Sequence, residues 1–351
     1  MWLSSHMALR VSAIVLRYTL IFFLLSVLSL TLISEKPFGL SKNLVYASIT
    51  FTPKTEMGSD DGSAEQIKLP HGIAVDNSGN MYISESRNFM QKFDNNGTFI
   101  TKWGSGGSGD GQFNDPHGVA IDSLGNVYVV DTFNFRIQKF DSNGTFITKW
   151  GSNGTANGQF LHPHDVAVDS SGNVYVGDYH IPNVQKFDSN GTFITKWGSE
   201  GSGDGQFAQR GDDMGVEGLD VDDSSGMIFV ADSGNSRVQK FDSNGTFIAK
   251  WGTEGKEDGQ FGYPSGLAVD SAGNVFVSDE TNKNIQKFDN NGTFITRWGS
   301  EGKGNGQFNH NHYIAVDSLG NVYEADRDNG YFQKFDSNGK FIKKWDSDSS
   351  N

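Results

Sequence analysis

The stretch PHGVAIDSLGNVYVVDTFNFRIQKFDSNGTFITKWG, residues 116–151, decides the fold. Apolar side chains alternate along four short runs, 118–122, 126–131, 136–141 and 145–150, as Val119 with Ile121 and Val127 with Val129 illustrate. A period of two marks strands with one face buried. Leu124-Gly125-Asn126 joins the first pair of runs and Ser142-Asn143-Gly144 joins the last. Asn-Gly tolerates positive φ, so tight type I′ hairpins are expected there.

The same unit occurs six times. Trp103, Trp150, Trp197, Trp251, Trp298 and Trp345 close the units at intervals of 47, 47, 54, 47 and 47 residues. Self-similarity at this period marks a propeller or a solenoid. Four antiparallel strands repeated six times predict an all-β, six-bladed propeller over residues 69–346, one twisted sheet per blade. A closed ring leaves little strand edge exposed. One Trp per outer strand is expected to pack between blades. The Phe of each GQF (Phe113, Phe160, Phe207, Phe261, Phe308) is expected to plug the gap to the next blade. Residues 48–68 read as a linker in which 48–57 form a candidate extra outer strand beside 341–345, and residues 347–351 as a tail.

Composition narrows the function. A formal charge of −14 lacks the positive footprint on which nucleic-acid binding relies, so no nucleic-acid partner is expected. The chain has no Cys, which excludes disulfides, a thiol nucleophile and a Cys-ligated zinc module. Residues 1–47 hold a hydrophobic helix: Tyr18 to Ile33 carry no charge, and Arg10 and Arg17 precede them. This is a signal peptide or a membrane anchor, with Val45-Tyr46-Ala47 a candidate cleavage site. Either reading sends the propeller outside the cell, tethered to the membrane if the segment is not cleaved. Asn-Gly-Thr sequons at Asn96, Asn143, Asn153, Asn190, Asn244 and Asn291 would then be open to glycosylation, although five sit in the hairpin turn, where Asn-Gly serves the backbone.

Residues 116–141 resemble an NHL repeat, as do 70–94, 163–188 and 264–289; 216–242 and 311–336 fit with their leading Pro replaced. The resemblance runs from Leu69 to Trp345 and implies a propeller. It implies no single function, because the family spans scaffolds, RNA binders and enzymes.

Equivalence between units places His71, His117, His164, Glu217, Ser265 and His312 at the start of the six innermost strands, in a ring around the axis. Four imidazoles and a carboxylate converging on one channel mouth form a candidate metal site, since catalytic zinc takes three such ligands plus a water. Alternate blades of a regular ring stand about 120° apart. They give the sets His117–Glu217–His312 and His71–His164–Ser265. His162 and His310, two residues upstream of ring members, are candidate supports. The competing reading is that duplication copied His with the rest of the unit.

The segments LPHGIAVD, DPHGVAID and HPHDVAVD, with NHNHYIAVD in the sixth unit, also resemble the Pro-His motifs of a propeller lyase, the peptidyl-hydroxyglycine lyase of peptide α-amidation. That resemblance implies zinc on His71, His117, His164 and His312, Tyr179 as base, and Arg327 or Arg87 on a substrate carboxylate. ADRDNG, residues 325–330, is similar to an arginine-bearing stretch of that enzyme.

Loops between the second and third strands should open on the same face as the ring, and they vary most between units. Arg87, Phe133, Tyr179, His180 and Arg327 are the candidate ligand contacts there. The fourth unit is longer, chiefly in AQRGDDMG, residues 208–215, so Arg210, Asp212 and Asp213 are expected to form a lip over the mouth. The expected function is recognition of a protein, peptide or glycan outside the cell, with a metal-dependent lyase as the alternative.

Overall fold

The computed structural model describes residues 67–208 and 215–346. Six four-stranded antiparallel sheets follow one another along the chain, each made of four consecutive strands. They are the blades of a propeller, residues 70–103, 116–150, 163–197, 218–251, 264–298 and 311–346. Each innermost strand packs on the next, and the first, Pro70–Val75, also packs on the sixth, Asn311–Val316, which closes the ring. The hydrophobic N-terminal helix, the candidate strand at 48–57, and Arg210, Asp212 and Asp213 lie outside the described residues. Among the described residues no helix is long and apolar enough to cross a membrane.

Alternation along each strand sends side chains to the two faces of a blade, so every blade buries apolar residues against both neighbours. In the second blade Val127 and Val129 join Tyr82 and Met90 of the first, while Tyr128 and Val130 join Val166 and Val176 of the third. The Trp of each outer strand leans on the following blade: Trp103 meets Phe140 at 6.0 Å between ring centroids. Phe113, fully buried, fills the joint between the first two blades beside Met90 and Phe140. Burying such a ring stabilises by about 2–3 kcal/mol.

The hairpins differ from expectation. In Asp141-Ser142-Asn143-Gly144-Thr145 only Gly144 has positive φ, 86°. A type I′ turn needs two such residues. Gly144 N–H instead donates to the Asp141 carbonyl at 3.0 Å, a type I turn finished by a left-handed glycine. Asp141 decides this, because its Oδ1 accepts from both Asn143 N–H and Thr145 N–H, at 2.9 and 2.8 Å.

Blade six is complete within its own four strands, so among the described residues no strand is shared across the joint with blade one. Side chains alone make that joint. Trp345, Tyr323 and Phe332 pack on Met81, Ile83 and Phe93, and Ile67 occupies the place that Phe113 takes at the next joint. Trp345 Nε1 donates to the Asn96 carbonyl across the seam at 3.2 Å.

Candidate metal centre at the channel mouth

Each innermost strand begins at the mouth, so its first residues face the axis from six sides. His71, His117, His164, Glu217, Ser265 and His312 form this inner tier, and all are buried. The following residue is Gly in four blades. A Cβ at Gly72, Gly218 or Gly266 would strike the carbonyl of the next blade's ring residue, His117, Ser265 or His312. Close approach of the strands therefore dictates the glycine that follows the ring residue and draws the ring side chains together. Two residues upstream, Asp115, His162, Tyr263 and His310 make an outer tier.

His164, Glu217 and His312 bring one ligand atom each to within 4.8 Å of the others. His312 Nε2 lies 2.7 Å from Glu217 Oε1, and His164 Nε2 lies 4.0 Å from the same oxygen. Burial raises the Glu217 carboxyl, but His164, His312 and His117 outweigh it and hold its pKa at about 2. Burial lowers His312, and the hydrogen bond and charge of Glu217 reverse that, so its pKa is raised. His164 Nδ1 donates to the Glu217 main-chain carbonyl at 2.8 Å, which fixes the tautomer and leaves a lone pair on Nε2. Beneath it the Tyr313 hydroxyl reaches His164 Nδ1 and donates to the His164 carbonyl, both at 3.0 Å. Tyr313 occupies the position that is Gly in four blades, and it floors the mouth above an inner-strand cavity of about 520 Å³.

His71, Asp115 and His117 form a second such group. The rings of His71 and His117 meet edge-on at 4.1 Å, and Asp115 Oδ2 lies 3.2 Å from His117 Nε2. The two groups adjoin, with the rings of His117 and His164 centred 4.7 Å apart. The structure thus joins His164 to Glu217 and His312, and His117 to His71, rather than sorting the ring by alternate blades. Ser265 turns instead to Ser278 Oγ, at 3.1 Å.

The second-to-third strand loops surround this cluster. Tyr179 stacks on His164 at 5.3 Å, and its hydroxyl lies 3.4 Å from that of Tyr263. Phe133, half exposed, and His180 sit against His162, at 5.4 and 4.7 Å. Burial, with the charges of His117 and His180, lowers His162 to a pKa of about 4. The charge of Arg327 acts on His71, His310, His312 and Asp115, yet among the described residues its guanidinium makes no hydrogen bond or ion pair. Arg87 behaves differently: it pairs with Glu85 at 3.4 Å and lies over Phe89. Asn134 and Arg136 both bind Asp131 and serve the loop itself.

Residues 113–140 match the family model described as NHL repeat. The chain is a six-bladed propeller that carries a recognisable NHL repeat in its second blade. Residues 154–303 of this propeller also match the model described as SMP-30/Gluconolactonase/LRE-like region. No curated protein sequence matches it. Solved structures with the same fold include a protein of unknown function from Bacteroides thetaiotaomicron, at 17% identity and a TM-score of 0.60, covering 80% of this chain and 72% of that one. A streptogramin B lyase superposes at 12% identity and TM-score 0.57, covering 83% and 86%. One chain of a nidogen/laminin complex does so at 14% and 0.57, covering 76% and 93%. At these identities the likeness shows the fold.

The donor set of this propeller suits a divalent ion. Glu217 Oε2 and the Nδ1 atoms of His71, His117 and His312 are buried without a hydrogen-bond partner, a costly arrangement in a protein interior. Two imidazoles and a carboxylate match the ligand chemistry of a catalytic zinc site, whose bonds of about 2.0–2.2 Å imply ligand separations of roughly 3.4 Å. Sequence reasoning missed Asp115 and Tyr313. Asp115 recurs as a polar residue in the same place in three other blades, and Tyr313 interrupts a run of glycines. Either departure from the repeat was a usable signal.

Proposed function

We propose that the mouth of this propeller binds a divalent metal ion, zinc by its donor set, together with a ligand that carries a carboxylate, such as a peptide C-terminus. His164, Glu217 and His312 would hold the ion. Bound there, it would supply Lewis acidity to the mouth. Arg327 offers the ligand carboxylate a charge-assisted, two-pronged contact. Phe133, Tyr179 and His180 wall the approach and exclude water from one side. The observation that carries this reading is a buried His–Glu–His group with uncommitted polar atoms lying next to an arginine that has no partner among the described residues. The uncharged run at 18–33 supports a site of action outside the cell, exported or anchored at the surface.

The test is calorimetric titration of the zinc-loaded and zinc-free chain with a short acetylated peptide ending in glycine, and with its C-terminal amide. The acid should bind the zinc-loaded form more tightly, and Arg327→Ala should weaken it by roughly 10–100-fold, since a charged hydrogen bond contributes about 1.5–3 kcal/mol. Equal affinity for acid and amide, or for loaded and stripped protein, overturns the reading.

A second reading, a lyase of the peptidyl-hydroxyglycine type, is favoured by one further observation. The hydroxyls of Tyr179 and Tyr263 form a pair beside His164. Tyr179 would take the substrate hydroxyl proton while Arg327 orients the carboxylate. Release of glyoxylate from a hydroxyglycine peptide by the wild type, and its loss in Tyr179→Phe, is the expected result. No release from zinc-loaded protein removes this reading and leaves the binding module.

A further inference from the structure

We propose that the mouth is a two-metal centre, with a second divalent ion bound by His71, Asp115 and His117. The first ion is that of the reading above; the case for the second stands on its own residues. Both groups have the same composition, two imidazoles and one carboxylate, and in each the ligand atoms lie within 4.8 Å of one another. This mix of borderline nitrogen and hard oxygen donors suits zinc.

Asp115 supplies the independent observation. It has φ of 54°, a left-handed conformation that, outside glycine, is adopted chiefly by Asn and Asp. Its N–H is pinned by Asn88 Oδ1 at 2.8 Å, and Asn88 itself has φ of 71°. The equivalent outer-tier residues Leu69, His162, Tyr263 and His310 have no positive φ. That conformation, within the outer tier found at Asp115 alone, turns a carboxylate between two buried rings, with Oδ2 3.2 Å from His117 Nε2 and Oδ1 3.8 Å from His71 Nδ1. A structural His–Asp pair would need one imidazole. Here there are two, and the Nδ1 atoms of both are buried without a hydrogen bond. Buried imidazole nitrogens left without a partner around a carboxylate are what a ligand-binding constellation shows when its own partner is the ion.

The two sites share a wall. His117 adjoins His164 at 4.7 Å and His71 adjoins His312 at 6.2 Å between ring centroids. Paired ions this close can clamp the two oxygens of one carboxylate, or of a phosphate, from both sides. The centre would then recognise an oxyanion headgroup, with Arg327 neutralising the charge left over.

The experiment measures zinc per full-length chain by plasma mass spectrometry after chelation, reloading and desalting. Wild type should retain two ions, Asp115→Asn one and Glu217→Gln one. Asn accepts the left-handed conformation as Asp does, so Asp115→Asn keeps the backbone; His71→Gln, also expected to hold one ion, repeats the test away from that residue. Circular dichroism checks that each variant is folded. A wild type with one ion, retained in Asp115→Asn and lost in Glu217→Gln, overturns the second site and leaves the first. One ion lost in Asp115→Asn and retained in Glu217→Gln supports this site and overturns the proposed first one. A folded wild type holding no zinc overturns both.

Discussion

Replacing Asp220 by alanine should change how stability depends on pH. The other five blades have Ala74, Ala120, Ala167, Ala268 and Ala315 at this position. The Asp220 carboxylate accepts from Val221 N–H and, across the joint, from Val269 N–H, both at 2.8 Å. Burial lifts its pKa from 3.8 to about 7 despite those bonds. A carboxyl raised in the folded state holds its proton better there than in the unfolded chain. Its contribution to stability is therefore whole below pH 3.8 and is lost as pH climbs to about 7. Three pH units correspond to about 4 kcal/mol. Asp220 also lines the inner cavity and keeps partial contact with solvent, and the screening brings the expected loss to about 2–3 kcal/mol. Asp220→Ala removes the titration together with two hydrogen bonds, so at pH 4 it should cost about 1–3 kcal/mol. By pH 8 the difference should have moved about 2–3 kcal/mol in favour of the variant. Urea unfolding of both proteins, followed by tryptophan fluorescence between pH 4 and pH 8, measures this. A gap that stays constant, or that widens against the variant as pH rises, refutes the reasoning.

Three further outcomes are expected. Trp345→Ala empties the joint between blades six and one and should cost about 3–5 kcal/mol in urea unfolding, whereas Leu124→Ala, at a residue 86% exposed, should stay within about 0.5 kcal/mol. Gly218→Ala drives a methyl group into the Ser265 carbonyl and should lower stability by about 1–3 kcal/mol, read as a fall in Tm. Tyr313→Phe keeps the packing but loses the bonds beneath His164, so zinc affinity, measured against a chromophoric chelator, should fall roughly 10–100-fold.

The blades were legible because alternation such as Val127–Tyr128–Val129–Val130 repeats with fixed spacing, and the repeat itself indexes every position. Turn geometry was less so. Asn-Gly serves two hairpin types, and the choice falls to Asp141, whose side chain binds the next two free N–H groups. Equivalence in the repeat also picked out the inner tier, but not which members meet. His164 is rotated by its bonds to the Glu217 carbonyl and to Tyr313, contacts between strands 53 and 149 residues apart. No local pattern encodes those. The left-handed backbone at Asp115 is likewise set by Asn88, a neighbour 27 residues away.

Because each blade is finished within one continuous run of chain, the ring is a cyclic word with no privileged first letter. The seam between blades six and one is made of side chains, as the other five are, apart from the short peptide links that join them. Asp115 and Glu217 stand at the very ends of their links, so cuts within 104–112, 151–159, 252–260 or 299–307 touch no member of either histidine group. Circular permutants opened at different links, with residue 346 spliced to residue 67, would therefore rebuild the same mouth from a rearranged gene. The placement of the chain's ends becomes a choice open to an engineer who wants a fusion partner on a particular side of the wheel.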